Sequence, residues 1–347
     1  MIAMLLLVLA ADSASTVRRI PLAPRETLTV TIAAPAPLPS ATALAADAPI
    51  EVPGLESLVA SHTTLAGASI PVVLLPGLLG GAYGYRNVAP AMAAAGHATY
   101  IIELLGTGSS SHPGDGDYSL DAQADRVAAT LDSLGVGRAV ITGSNFGASV
   151  ALRVAYRRPE HAAAVLLLDG GPVDRSYTQG VSAAMKLGPL IKIFGGRGAA
   201  TRRIRDALIE SSADAAWVTR DVVREYARPI IHDLGATADV MNAMRRAPVN
   251  SRLADNLERI AQPVRLMIGA ANRDHGIRSE EVALLGERLR SFAIDSVAGS
   301  GVYLAEERPD AVAAELLALC DSLAKEATVA TPLPLAAHSR PLKMEVP

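Results

Sequence analysis

Between Pro71 and Val297, short uninterrupted apolar runs alternate with longer stretches in which apolar side chains recur every three or four positions. The first pattern fits a strand buried on both faces, the second a helix with one buried face. Strands are therefore predicted from Pro71 into the glycine-rich turn ending at Gly81, and over Thr99–Glu103, Ala139–Thr142, Ala164–Leu168, Pro263–Gly269 and Phe292–Val297. Helices are predicted over Arg86–Ala95, Leu120–Leu134 (introduced by Tyr118-Ser119), Gly147–Tyr156, Ser279–Arg290 and Pro309–Lys325. Strand-helix alternation of this kind requires right-handed crossovers and a mostly parallel twisted sheet with helices on both faces.

Three segments break the alternation. Val17–Ile32 holds two β-rich stretches separated by Ala-Pro-Arg, the pattern of a hairpin. Residues 33–69 turn to Ala, Pro, Ser and Thr without periodicity and read as a surface loop. Asp174–Ile260 is charged and helix-like, with breaks at Gly188-Pro189, Gly195-Gly196 and Arg228-Pro229, and reads as a helical lid inserted into the sheet domain. The expected organisation is an apolar extension over 1–16, a core of 17–173 and 261–325, a lid over 174–260 and a flexible Pro-rich tail over 326–347.

Composition narrows the function only slightly. The chain has 347 residues, 50% hydrophobic and 19% charged, with a net charge of −3, so nothing favours nucleic acid as a partner. Its one cysteine, Cys320, lies in an amphipathic pattern and is expected to be a core residue. Met1–Ala11 is apolar but lacks a preceding Lys or Arg and is too short to span a bilayer, so a cytoplasmic protein is expected, with a secreted one as the alternative if this segment is a signal peptide. No membrane span, cofactor or metal site is expected, and no Cys/His/Asp/Glu grouping has metal-ligand spacing.

The chemistry concentrates in Gly143-Ser144-Asn145-Phe146-Gly147, between a predicted strand and a predicted helix. Small residues two before and two after an apex allow the sharp turn that exposes a nucleophile, where the usual pattern is G-x-S-x-G. Here the apex is Asn145. A carboxamide has no proton comparable to a serine hydroxyl's and is a poor nucleophile.

Together with PGLLGG at Pro76–Gly81, LLGTGSS at Leu104–Ser110 and GSGVYLAEERPDAV at Gly299–Val312, this order of motifs resembles the α/β-hydrolase superfamily, in its lid-containing esterase and haloalkane-dehalogenase-like branch. The resemblance implies an oxyanion hole formed by the N–H groups of Leu78 and Phe146. It places Val302 where the family carries its histidine base, and Asp169, or alternatively Asp274, at the acid position. Glu103 stands where a structural aspartate is common.

With Asn145 and Val302 at the two proton-handling positions, the expected function is a pseudoenzyme that keeps a lidded apolar pocket for a small hydrophobic molecule. Leu78, Phe146, Val302, Tyr303, Met185, Phe194 and Trp217 are its candidate lining. One alternative is an active hydrolase on a small ester or related substrate, built from Ser144 and His275 with Asp169. A lyase or cofactor-free oxygenase is disfavoured by Val302, and a non-catalytic protein-interaction module, with its partner unknown, is the remaining alternative. His62, His97, His112, His161, His232 and His338 are expected to be solvated.

Overall fold

The computed structural model describes residues 15–35, 69–172, 174, 196–271 and 276–330. An eight-stranded sheet runs in the order β1-β2-β4-β3-β5-β6-β7-β8. Its strands are β1 (Ser15–Ala23), β2 (Glu26–Ala33), β3 (Val72–Leu75), β4 (Thr99–Glu103), β5 (Ala139–Ser144), β6 (Ala162–Leu168), β7 (Val264–Gly269) and β8 (Phe292–Val297). β1 pairs antiparallel with β2, and β2 with β4; every other pairing is parallel. The hairpin closes at Pro24-Arg25, where Arg25 takes a left-handed φ of 69°.

Side-chain alternation along the central strands divides the core into two layers. Ile141 and Leu167 face a cluster shared with α2 (Leu120–Leu134) and α3 (Phe146–Arg157). Val140, Leu166 and Leu168 face the opposite cluster, with α1 (Val88–Ala94) and the closing helix. α2 begins and ends where its sequence dictates: the Ser119 hydroxyl accepts the Ala122 N–H at 3.2 Å, and Gly135, at φ 66°, turns the chain out.

Between β6 and β7 lie α4 (Gly196–Glu210), α5 (Arg220–His232) and α6 (Leu234–Arg246), with short 3₁₀ turns. Thr219 and Asp233 cap the last two helices. Pro229 does not interrupt α5 as its sequence suggests. It falls in the last turn, where its missing N–H forfeits one helical bond while buried Tyr226 and Ala227 hold the turn in place.

Both ends of this helical block are tied to one buried cation. Arg153 on α3, 1% exposed, places Nε 3.1 Å from Asp121 of α2 and Nη2 2.9 Å from Asp174, where the chain leaves the sheet. The returning chain completes the cluster: the Ser251 hydroxyl donates to Asp121 at 2.6 Å and the Leu253 N–H to Asp174 at 2.8 Å. A buried guanidinium needs this many acceptors to offset its desolvation.

After β7 come α7 (Ser279–Arg288), β8, a short α8 (Leu304–Glu307) absent from the sequence prediction, and α9 (Pro309–Ala330). α9 runs on past Lys325 to Ala330, into the stretch read from the sequence as tail. The rest of that tail, the 1–14 stretch and most of the 33–69 insert lie outside the described residues.

Candidate active site

At the carboxyl end of the central strands, β5 turns into α3 within a single residue. Asn145 adopts φ 49° and ψ −109°, a conformation that costs a non-glycine residue on the order of 1–3 kcal/mol. The flanking glycines are required by contact rather than by torsion. A Cβ on Gly143 would strike the backbone of Gly147, and one on Gly147 would strike the Leu75 carbonyl. The apex therefore has the geometry of a nucleophile elbow, with a carboxamide at its tip. The Asn145 side chain is partly exposed and makes no cap hydrogen bond.

Gly77 lies against this tip, with room for a Cβ 3.8 Å from that of Asn145. Leu78 is half-buried and Phe146 buried, both in the same apolar cluster. Among the described residues neither the Leu78 nor the Phe146 N–H donates a hydrogen bond. Phe146 opens α3, so its N–H has no partner within the helix.

Ser144 is partly buried, and its hydroxyl lies 2.7 Å from the phenol of Tyr85. As the last residue of β5 it shares the side of Val140, facing away from α3. Tyr85 is itself buried, and loss of solvent pushes its phenol well above the usual range despite the Ser144 contact. Such a group is a weak proton acceptor at neutral pH.

Val302 is buried, at 5% exposure, and its N–H donates to the Ser211 carbonyl at 3.0 Å. The preceding Gly301 sits so close that a Cβ there would strike the Ser211 carbonyl, while its N–H donates to Glu307 at 2.9 Å. Glu307 also accepts the N–H groups of Ala213 and Asp214. The turn at residues 211–214 thus rests directly on the position where the family resemblance would put a histidine.

Asp169, 1% exposed and at φ 46°, follows β6. Its carboxylate accepts the N–H of Gly269 at 3.0 Å and of Ile277 at 2.9 Å, bridging the start and end of the loop after β7. Gly276 is pressed against it, leaving no space for a side chain. Asp274 and His275 belong to that loop but lie outside the described residues, as do His62, His338, Met185 and Phe194.

Of the histidines expected in solvent, His161 departs most. It is buried at 6% exposure, with Nε2 3.3 Å from Asp132, because it sits in the tight connection from α3 into β6 rather than on a helix surface. His97 places Nδ1 2.9 Å from the Ile70 carbonyl, and burial lowers the pKa of His112.

Above the Gly80 turn, four rings pack together. Trp217 stands 5.5 Å from Tyr303 and 5.9 Å from Tyr226, and Tyr226 meets Tyr83 edge-on at 6.1 Å. The Tyr226 ring fills the space a Cβ on Gly80 would need. Beneath them, one oxygen of buried Glu306 accepts from the Tyr226 hydroxyl and from Arg86, each at 2.6 Å. Its other oxygen has no partner among the described residues. Tyr85, Arg86, Tyr226 and Glu306 escaped sequence reasoning because each contact joins residues far apart in the chain.

Two surface cavities, of about 320 and 190 Å³, lie away from the elbow, at Gly114–Tyr118 against Ala243–Pro248 and beside Phe292 and Leu319. Among the described residues no set of three His, Cys, Asp or Glu is placed to hold a metal, and no helix is long and apolar enough to cross a membrane.

Residues 70–187 match the family model described as alpha/beta hydrolase fold. The chain is 29% identical over 126 residues to the 2-hydroxymuconate semialdehyde hydrolase of Pseudomonas sp. (strain CF600), covering 36% of this chain and 44% of that protein. It is 39% identical over 88 residues to Lipase LipV of Mycobacterium tuberculosis (strain ATCC 25618 / H37Rv), covering 25% and 33%. The matched region thus spans less than half the length of these relatives. Among solved structures, the epoxide hydrolase CorEH superposes with a TM-score of 0.68 at 17% identity, over 89% of this chain and all of that one (100%). The meta-cleavage product hydrolase of Pseudomonas fluorescens IP01 superposes at 0.65 and 15% identity, over 88% and 97%.

Proposed function

We propose that this chain, by its fold a member of the α/β-hydrolase superfamily, binds a small apolar molecule at its elbow and does not hydrolyse it by serine chemistry. One observation carries the reading: Asn145 holds the apex in elbow geometry, while buried Val302 stands where the family resemblance would put the base. A carboxamide yields no alkoxide, and an isopropyl group neither takes nor returns a proton. Removing a whole serine triad costs on the order of 10⁶ in turnover, and the roughly 10³–10⁴ that remains over water is of little use for ester hydrolysis.

The polar part of such a site is supported by the Leu78 and Phe146 N–H groups and the Asn145 carboxamide, which could hold a ligand oxygen. The helical block and its aromatic cluster support the reading of a lid. The test is fluorophosphonate labelling and p-nitrophenyl ester turnover for the wild type, Asn145→Ser and Asn145→Ser/Val302→His. Labelling confined to the double variant is the expected result; fast wild-type turnover would sink the proposal. A thermal-shift screen of small apolar compounds tests binding directly, since a ligand at 100 times its Kd stabilises by about 2.7 kcal/mol.

A second reading, an active hydrolase acting through Ser144, His275 and Asp169, draws support from the hydrolase names of the relatives and the preserved elbow. The Tyr85 contact counts against it, because it engages the Ser144 hydroxyl away from the apex. Wild-type turnover that disappears in Ser144→Ala would establish this reading instead.

A further inference from the structure

The torsion that makes the elbow also brings two atoms of the backbone and side chain of Asn145-Phe146 into position to react with each other. Around the Cα–C bond, Cβ stands about 120° from the residue's own nitrogen, so a ψ of −109° leaves the Phe146 nitrogen about 10° from eclipsing the Asn145 Cβ. That is the arrangement of a closed five-membered ring through Cα, Cβ, Cγ, the Phe146 nitrogen and the carbonyl carbon. Rotation about Cα–Cβ alone then carries Cγ onto that nitrogen.

Neither Asn87 nor Asn256 shares the arrangement. Asn87 has a ψ of −25° and Asn256 of 11°, which turn the following nitrogen well away from Cβ, and the Asn256 carboxamide is also engaged with the Arg252 carbonyl. At residue 145 both reacting groups are available: the carboxamide makes no cap hydrogen bond, and the Phe146 N–H donates none among the described residues. The amino end of α3 stabilises negative charge, which favours proton loss at that nitrogen and the carboxylate that results.

We propose that Asn145 is a self-modification site, converted through a cyclic imide to a carboxylate at the elbow. The Phe146 nitrogen loses its proton to solvent hydroxide and bonds to Cγ of Asn145. The Cγ–N bond of the carboxamide breaks and ammonia leaves. Water then opens the imide at either carbonyl, giving aspartate where the new bond breaks and isoaspartate where the main-chain bond breaks. No oxidant, metal or second substrate is required. The inference does not depend on whether the site binds or hydrolyses its ligand.

In a flexible chain a bulky residue after asparagine slows this closure, so any speed at Asn145 must come from the fold. The test ages full-length native protein at mildly alkaline pH and follows the tryptic fragment Ala139–Arg153 by mass spectrometry. A synthetic peptide of the same residues and the denatured protein are aged alongside. Prealigned groups are expected to convert roughly tenfold or more faster in the native protein than in either control. An intermediate short of one ammonia, trapped by hydroxylamine, should accompany the conversion, and Asn145→Gln, whose ring would have six members, should not convert. Native conversion no faster than the peptide's, or aspartate formed with no trappable imide, would overturn the proposal.

Discussion

The Ser144 hydroxyl lies 2.7 Å from the buried Tyr85 phenol, a contact that, on the reading proposed above, makes this serine a packing partner of Tyr85. Ser144→Ala is accordingly expected to leave any measured ester turnover unchanged. It should lower stability by about 1–3 kcal/mol by stripping a buried phenol of one partner. Tyr85→Phe removes the other half of the same bond, so a double-mutant cycle in urea should show the two losses to be non-additive.

Arg153 is the cation on which Asp121 and Asp174 both depend. Arg153→Leu removes the buried cation that Asp121 and Asp174 share, leaving them only Arg157 at 3.3 Å and the exposed Arg252 at 3.7 Å, and should cost about 3 kcal/mol. Arg153→Lys should recover only part of this, because an ammonium lacks the planar fork that reaches both carboxylates. Equilibrium denaturation of the three proteins checks the ranking; a leucine variant as stable as the wild type would contradict it.

The elbow glycines can be ranked against one in open space. Gly147→Ala drives a methyl into the Leu75 carbonyl, whereas a Cβ on Gly137 meets nothing within 4 Å. The first should destabilise by about 1–3 kcal/mol or more, and the second should stay within about 0.5 kcal/mol of the wild type. Melting temperatures of the two single variants decide the matter.

Glu103 gives stability a pH dependence of known sign. Its buried carboxylate accepts the N–H groups of Ala82 and Ser109, yet desolvation outweighs them and raises its pKa. The folded state therefore holds this proton more tightly than the unfolded chain does. Stability from this group grows as pH falls from the folded pKa towards the ordinary carboxylate value and is lost as pH rises again. Wild-type protein should gain stability relative to Glu103→Gln on acidification through that window; parallel curves of Tm against pH would refute the assignment.

The sheet was legible because its signals are local. Thr99–Glu103 and Phe292–Val297 have the predicted boundaries, and α2 starts and stops at Ser119 and Gly135 because its cap and its exit are neighbours in sequence. The turn at Asn145 was legible for the same reason, its two glycines standing two residues on either side. What lay beyond reach were contacts without local spacing, such as Glu306 with Arg86, 220 residues away, or Ser211 beneath Val302. Pro229 misled because the cost of a proline depends on how many helical turns follow it, and here fewer than one does.

Arg153 holds Asp174 on the outgoing chain, and the Asp174 carboxylate in turn accepts the N–H of Leu253 on the incoming chain. The points where the chain leaves the sheet at Asp174 and returns at Leu253 therefore share a root. On the ligand-binding reading proposed above, any opening of the helical block would leave these two anchor points joined, like posts set in one footing.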